Sequence, residues 1–312
     1  MDNLDFSNLR FNCTNLLKIS RQNKKKVLSD EQINRLAELK LKESRHGLNK
    51  TEQKSYDILK RKFEFTDFDK MLNGTVSYLK YLYLVKRYGS FFRMYGGTGV
   101  TQMVQGVKSE PKSIELLQKY FDRPFYKHKY KVKNDKFVGK MDIADSAELE
   151  SASVLIDVKT TNDIFVFNNR VGEDLLEQYE YQMQGYFDIT GKDRGLVCFC
   201  LTDFTNQEIE LQKHRMIEKL CPDGIITDYF TNAWDKVYAS MTFKRIPIRE
   251  RVITYEVRCD PDIISDLREK ADICREWLNN FHEIHTKFFG DQWLQKDYFE
   301  YNPSNVGKGN CQ

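Results

Sequence analysis

Several features are scarce or missing in these 312 residues, and each absence removes a class of protein. No run of about 18 apolar residues occurs, so a membrane-spanning helix is not expected. The opening Met1-Asp-Asn-Leu-Asp-Phe6 lacks the basic-then-apolar order of a secretory signal, and a reducing cytoplasm is the expected location. The seven cysteines, Cys13, Cys198, Cys200, Cys221, Cys259, Cys274 and Cys311, are scattered and odd in number. None of them forms the Cys-x-x-Cys spacing of a zinc or iron–sulfur site, and Cys198 and Cys200 read as packed thiols in a strand. Net charge is only +3, which neither demands nor excludes nucleic acid, because local patches matter more than the sum. No internal repeat or low-complexity tract is present.

Apolar residues make up 40% of the chain, enough for a sizeable core. Residues 1–95 read as a helical N-terminal region rich in Lys, Leu, Glu and Asn. Ser29-Asp-Glu-Gln32 has the form of a capping box, followed by Ile33, Leu36, Leu39 and Leu41 at roughly helical spacing. Further helices are expected from Thr51, with Ile58 and Leu59 inward, and over Ser77 to Tyr88. Residues 96–205 read as an α/β core around a central mixed sheet. Its order is a helix from Glu110-Pro111 to Phe121, strands near 125–133, 137–144 and 153–160, a helix from Asp174 to Thr190 stopped by Gly191, and a strand near 195–202. Residues 206–312 read as a mainly helical C-terminal region packing on that core, with a helix from Asp260 to Phe288 and a loose end from Asn302.

The most informative residues lie in Phe137-Val-Gly-Lys-Met-Asp-Ile-Ala144 and Val154-Leu-Ile-Asp-Val-Lys-Thr-Thr161. Residues two apart in a strand share a face, so Asp157 and Lys159 project together and Val158 faces away. The connection from Asp145 to Ser153 is short and polar, as suits a hairpin, and pairing would bring Asp142 to Asp157. Two carboxylates suit Mg²⁺ or Mn²⁺, and an ammonium beside them suits positioning of water or stabilisation of developing negative charge. A surface hairpin with a salt bridge is the plainer alternative. Leu155, Ile156 and Val158 argue against it, because ionisable groups on a buried strand need partners.

In order along the chain stand Glu110, Gly139-Lys-Met-Asp142, Asp157-Val-Lys159 and Gln182-Met-Gln-Gly-Tyr186. This series resembles the pattern of the PD-(D/E)XK nuclease superfamily, on the RecB-like and lambda-exonuclease-like (YqaJ-type) branch often carried by bacteriophages. The likeness covers about residues 100–205 and is looser in the flanks, where it rests on the Lys/Leu-rich arm and the helix near Trp277. The histidine that RecB-like enzymes often carry ahead of the first acid is missing, since none lies between His46 and His128. The resemblance implies a restriction-endonuclease-like core. Glu110, Asp142, Asp157 and the Val158 carbonyl would hold Mg²⁺, with Mn²⁺ able to substitute. Lys159, Gln182 and Tyr186 would complete the catalytic set. It also implies a DNA exonuclease that resects double-stranded ends in phage recombination, with a single-strand-annealing or recombinase partner and assembly into a homo-oligomer. Host cytoplasm is then the expected location. An endonuclease, or a non-catalytic DNA-binding scaffold on the same fold, remains open.

Glu115 rivals Glu110, five residues further along the same helix. Gln182 and Tyr186 are i and i+4, so they share a helix face that Gln178 would continue, and Gly185 would let that helix approach the sheet. Lys127, Lys129, Lys131 and Lys133 alternate on what reads as one strand. They form either a solubilising edge or a phosphate-tracking stripe leading, with Lys140, toward Asp142. Lys24, Lys25 and Lys26 form a charge run, and His282 and His285 read as an exposed helix face rather than a metal site.

Overall fold

The computed structural model describes residues 4–21, 29–63, 68, 71–89 and 99–294, with backbone alone at 61–63, 99–108 and 290–294. Lys24 to Lys26, the stretch from Asn302 and Cys311 lie outside the described residues. The chain divides into two compact units. One comprises 1–9, 22–89 and 272–312, the other 10–21 and 90–271.

In the second unit the chain enters through β1 (Phe11–Asn12), a 3-10 turn and α1 (Leu16–Ser20). The first unit contains α2 (Asp30–His46), α3 (Lys50–Phe63) and α4 (Asn73–Tyr88). The capping box forms as expected: Ser29 Oγ accepts from the Gln32 amide and Gln32 accepts from the Ser29 amide. Leu36, Leu39, Tyr56 and Leu59 then make a small apolar core. Ile58, expected inward, is 49% exposed, because only one residue of an adjacent pair can face the neighbouring helix. Tyr83 of α4 is fully buried against Phe6, and its hydroxyl meets His282 Nδ1 at 3.2 Å. His282 and His285 therefore pack around a tyrosine instead of forming an exposed face.

The second unit continues with α5 (Gly99–Phe121), β2 (Tyr126–Lys127), β3 (Val132–Lys133), β4 (Phe137–Gly139), β5 (Ile143–Ala144) and β6 (Leu155–Thr161). Then come α6 (Ile164–Asn168), α7 (Glu177–Thr190), β7 (Arg194–Leu201), α8 (Asn206–Leu220), α9 (Asp228–Met241) and β8 (Val252–Arg258). The long α10 (Pro261–Leu294) follows, its residues from Asp272 onward counted with the first unit. A five-stranded mixed sheet runs in the order β2-β5-β6-β7-β8, with β6 and β7 parallel and the other pairs antiparallel. A three-stranded sheet runs β1-β4-β3. The α/β class and the flanking helices are as expected.

Pro111 was expected in a first helical turn but lies inside α5, which begins at Gly99. A proline there removes one helix hydrogen bond at a cost of about 3 kcal/mol. The helix holds because Leu116 and Leu117 bury against Ile143, Ile156, Cys198 and Cys200. The 125–133 and 137–144 segments do not form two long strands. The chain changes sheets between β2 and β3, and changes back between β4 and β5. The four lysines thus occupy two sheets and a non-strand link, not one strand face, although all of them are exposed. The stretch 206–312 also holds β8, whose Val252, Ile253, Thr254 and Tyr255 are strand-forming types.

Candidate active site

Antiparallel pairing sets Ile143 opposite Ile156 and Ala144 opposite Leu155, so the next position inward carries Asp142 alongside Asp157. On one face of β6, Ile156 and Val158 pack toward α5, and Thr160 Oγ1 meets Ser113 Oγ at 2.7 Å. On the other face, Asp157 and Lys159 meet α7. Asp157 is 2% exposed. Its Oδ1 accepts from Gln182 Nε2 at 2.7 Å, and its Oδ2 lies 2.7 Å from Lys159 Nζ. That second contact is an ion pair without hydrogen-bond alignment, and Oδ2 is otherwise unpartnered among the described residues. Lys159 Nζ also reaches Gln182 Oε1 at 3.3 Å.

Gln182 Nε2 donates to Tyr186 Oη at 2.8 Å, and that hydroxyl donates to the Lys140 carbonyl at 3.1 Å. Burial and the two nearby aspartates push the Tyr186 phenol well above its ordinary value, so it stays a neutral donor. The close approach explains Gly139: a Cβ there would lie 2.7 Å from the Tyr186 ring and 2.9 Å from Cys13 Sγ. The sequence suggests that Gly185 lets α7 approach the sheet, and the structure gives it another neighbour. A Cβ on it would meet Leu16 at 2.3 Å and Cys13 Sγ at 3.0 Å, so the residue that it accommodates is the N-terminal segment.

Asp142 Oδ2 accepts from the Val158 amide at 2.9 Å. Loss of surrounding water, then the Asp157 charge, push the Asp142 carboxyl up to about 7, with Glu110 adding to the rise and Val158 and Lys159 opposing it. Glu110 lines the same cleft, held at 2.7 Å by Lys127 Nζ. Glu115 is not among the cleft residues, and its exposed carboxylate pairs with Lys119 at 2.6 Å. Among the described residues no three His, Cys, Asp or Glu side chains cluster closely enough to enclose a metal ion. The chemistry of the donors nevertheless fits a hard cation. Two carboxylates converge, one oxygen lacks a hydrogen bond, and like-charge crowding raises Asp142.

The cleft encloses about 500 Å³. Lys140 lines it, whereas Lys129, Lys131 and Lys133 do not. Sequence reading missed Thr14, Val166, Phe167, Arg170, Tyr179 and Phe199, which also line it. Tyr179 was within reach of pattern: it precedes Gln182 by three, on the same helix face, while Gln178 is exposed and outside the cleft. The contribution of α6, carrying Val166 and Phe167, had no motif to announce it.

No family model matches the sequence, and no curated protein matches it significantly. The fold does have solved relatives. A phage-related exonuclease from Haemophilus somnus 129PT superposes with a TM-score of 0.53 over 89% of this chain and 97% of its own, at 16% identity. An alkaline exonuclease from Laribacter hongkongensis gives a TM-score of 0.49 over 93% and 95%, at 9% identity. The chain therefore has the α/β fold of a phage-related exonuclease, and the resemblance seen in its motifs holds at the level of the fold.

Proposed function

We propose that this protein is a metal-dependent deoxyribonuclease that hydrolyses DNA phosphodiester bonds, acting as an exonuclease on double-stranded ends. The observation that carries the reading is the convergence of Asp142, Asp157 and Lys159 in one cleft, with an oxygen of buried Asp157 lacking a hydrogen bond. Asp142, Asp157 and the Val158 carbonyl would hold Mg²⁺ or Mn²⁺, with Glu110 joining them on release from Lys127. Bound there, the cation would polarise the scissile phosphate and acidify the attacking water.

The chain's own groups account for the remaining needs. Lys159 stands beside Asp157 where it can orient water and offset the charge that builds on the phosphate. Gln182 fixes Asp157 Oδ1 and Lys159 together, and Tyr186 fixes Gln182. Water attack in line forms one P–O bond as the bond to O3′ breaks, leaving a 5′-phosphate. Lys140 in the cleft and Lys127 beside Glu110 would contact DNA phosphates, with Lys129 and Lys131 on the exposed link and Lys133 in β3 extending the contact. Resection for phage recombination, an annealing or recombinase partner and a homo-oligomer fit this reading, and so does a location where DNA is accessible. The fold shared with a phage-related exonuclease supports the choice of exonuclease.

The test is digestion of an end-labelled linear duplex with Mg²⁺, with and without EDTA, beside the same sequence as a covalently closed circle. EDTA-sensitive loss of the linear form alone is expected. Efficient cutting of the circle would replace this reading with an endonuclease, and no cutting of either would leave a DNA-binding scaffold.

A further inference from the structure

Lys159 is held from three sides, and only two of them belong to the sequence motifs. Asp157 Oδ2 lies 2.7 Å from Nζ and Gln182 Oε1 lies 3.3 Å from it. The third side is the ring of Tyr179, whose centroid lies 4.6 Å from the ammonium. An aromatic face attracts a cation through its quadrupole, more strongly where water is partly excluded. Here the lysine side chain is 24% exposed. Tyr179 is in the first turn of α7, and its ring is braced edge-on by Phe199 at 5.6 Å and 73°. Phe199 meets Tyr255 at 5.9 Å, and the Tyr255 hydroxyl reaches the carbonyls of Arg170 and Glu173. The ring thus has a fixed place, while its own hydroxyl forms no hydrogen bond with a described residue.

We propose that Tyr179 is a positioning residue for Lys159: its ring face, not its hydroxyl, holds the flexible lysine stem so that the ammonium points into the cleft. The proposal rests on the reading of Lys159 as a catalytic group. Without the ring, the stem regains rotamers that swing Nζ away, and the loss falls on turnover more than on substrate binding.

Steady-state kinetics on linear duplex, in wild-type and Lys159→Ala backgrounds, separate the outcomes. Tyr179→Leu is expected to lower kcat about 5- to 30-fold with KM little changed. Tyr179→Phe, which keeps the ring face, is expected to restore it. In the Lys159→Ala background, Tyr179→Leu is expected to add no further loss. A Phe variant as poor as the Leu variant, an undiminished Leu effect without Lys159, or an effect confined to KM would each overturn the proposal. A direct readout needs no activity. In ¹³C-lysine-labelled protein, the Lys159 side-chain resonances should be shifted upfield by the ring current, and Tyr179→Leu should abolish that shift. An unshifted Lys159 in the wild type overturns the contact itself. Normal cleavage by Lys159→Ala alone would instead sink the catalytic reading and leave the NMR result to judge the clamp.

Discussion

The two sides of the cleft are built differently. On the side of β6 and α7, Asp157 is buried, Gln182 bridges it to Tyr186, and Tyr186 is anchored on the Lys140 carbonyl. Every group there answers to two others, and the backbone of β6 is paired on both edges. On the side of α5, Glu110 has a single ion-pair partner among the described residues, Lys127, and both side chains are partly open to water at 17% and 37% exposure. An ion pair of that kind contributes little and exchanges readily. One side is a fixed frame, and the other is a charge pair that a cation or a phosphate can displace.

That contrast can be broken most forcefully at Asp157. Asp157→Asn keeps the size and loses the charge, and cleavage of linear duplex should fall by orders of magnitude while DNA binding by fluorescence anisotropy persists. Near-wild-type cleavage would remove Asp157 from the proposed metal site. The next effect is a pH-dependent one. The folded pKa of Asp142, at about 7, stands above its ordinary value. Its contribution to stability is therefore fully present below about pH 4 and is lost as pH rises through about 7. In EDTA, Asp142→Asn should melt several degrees above the wild type at pH 8, and the gap should close toward pH 4. Equal melting curves across that range would refute the raised Asp142 carboxyl that burial and Asp157 produce.

Gln182→Leu tests the frame itself. It leaves Asp157 Oδ1 and Tyr186 Oη without their shared donor and should cost about 1–3 kcal/mol in denaturant unfolding, with lower kcat. A neutral result would mean that the bridge is ornamental. Lys127→Gln should be the mildest. Stability should change by less than about 1 kcal/mol. The log–log salt dependence of DNA binding should fall by roughly 0.9, one phosphate contact. An unchanged slope would confine Lys127 to its pair with Glu110.

The fixed side was legible because it obeys short periods. Asp157 and Lys159 are two apart on a strand, Gln182 and Tyr186 four apart on a helix, and the polar run from Asp145 to Ser153 announces a reversal. The rest depended on tertiary choices that leave no local trace. Lysines alternate without interruption from Lys127 to Lys133, and no Gly or Pro marks where the chain leaves one sheet for the other. Pro111 reads as a helix start because a proline is ordinarily tolerated there, yet core contacts from Leu116 and Leu117 outweigh it. β8 was legible in principle, since Val252 to Tyr255 carry strand-forming side chains. Nothing in the composition of residues 10–21 marks them as neighbours of Gly139 and Gly185.

α7 is fastened by two segments distant in sequence. Cys13 and Leu16 press against Gly185, while Gln184 donates to the Arg258 carbonyl and accepts from the Asp260 amide. The two clasps come from segments far apart in the sequence, so α7 gains its second hold only once the chain has been made through β8. A chain without β8 would lack that second hold on the helix that carries Gln182. If the proposed cleavage holds, chains ending before Val252 should cut linear duplex less than the full chain does.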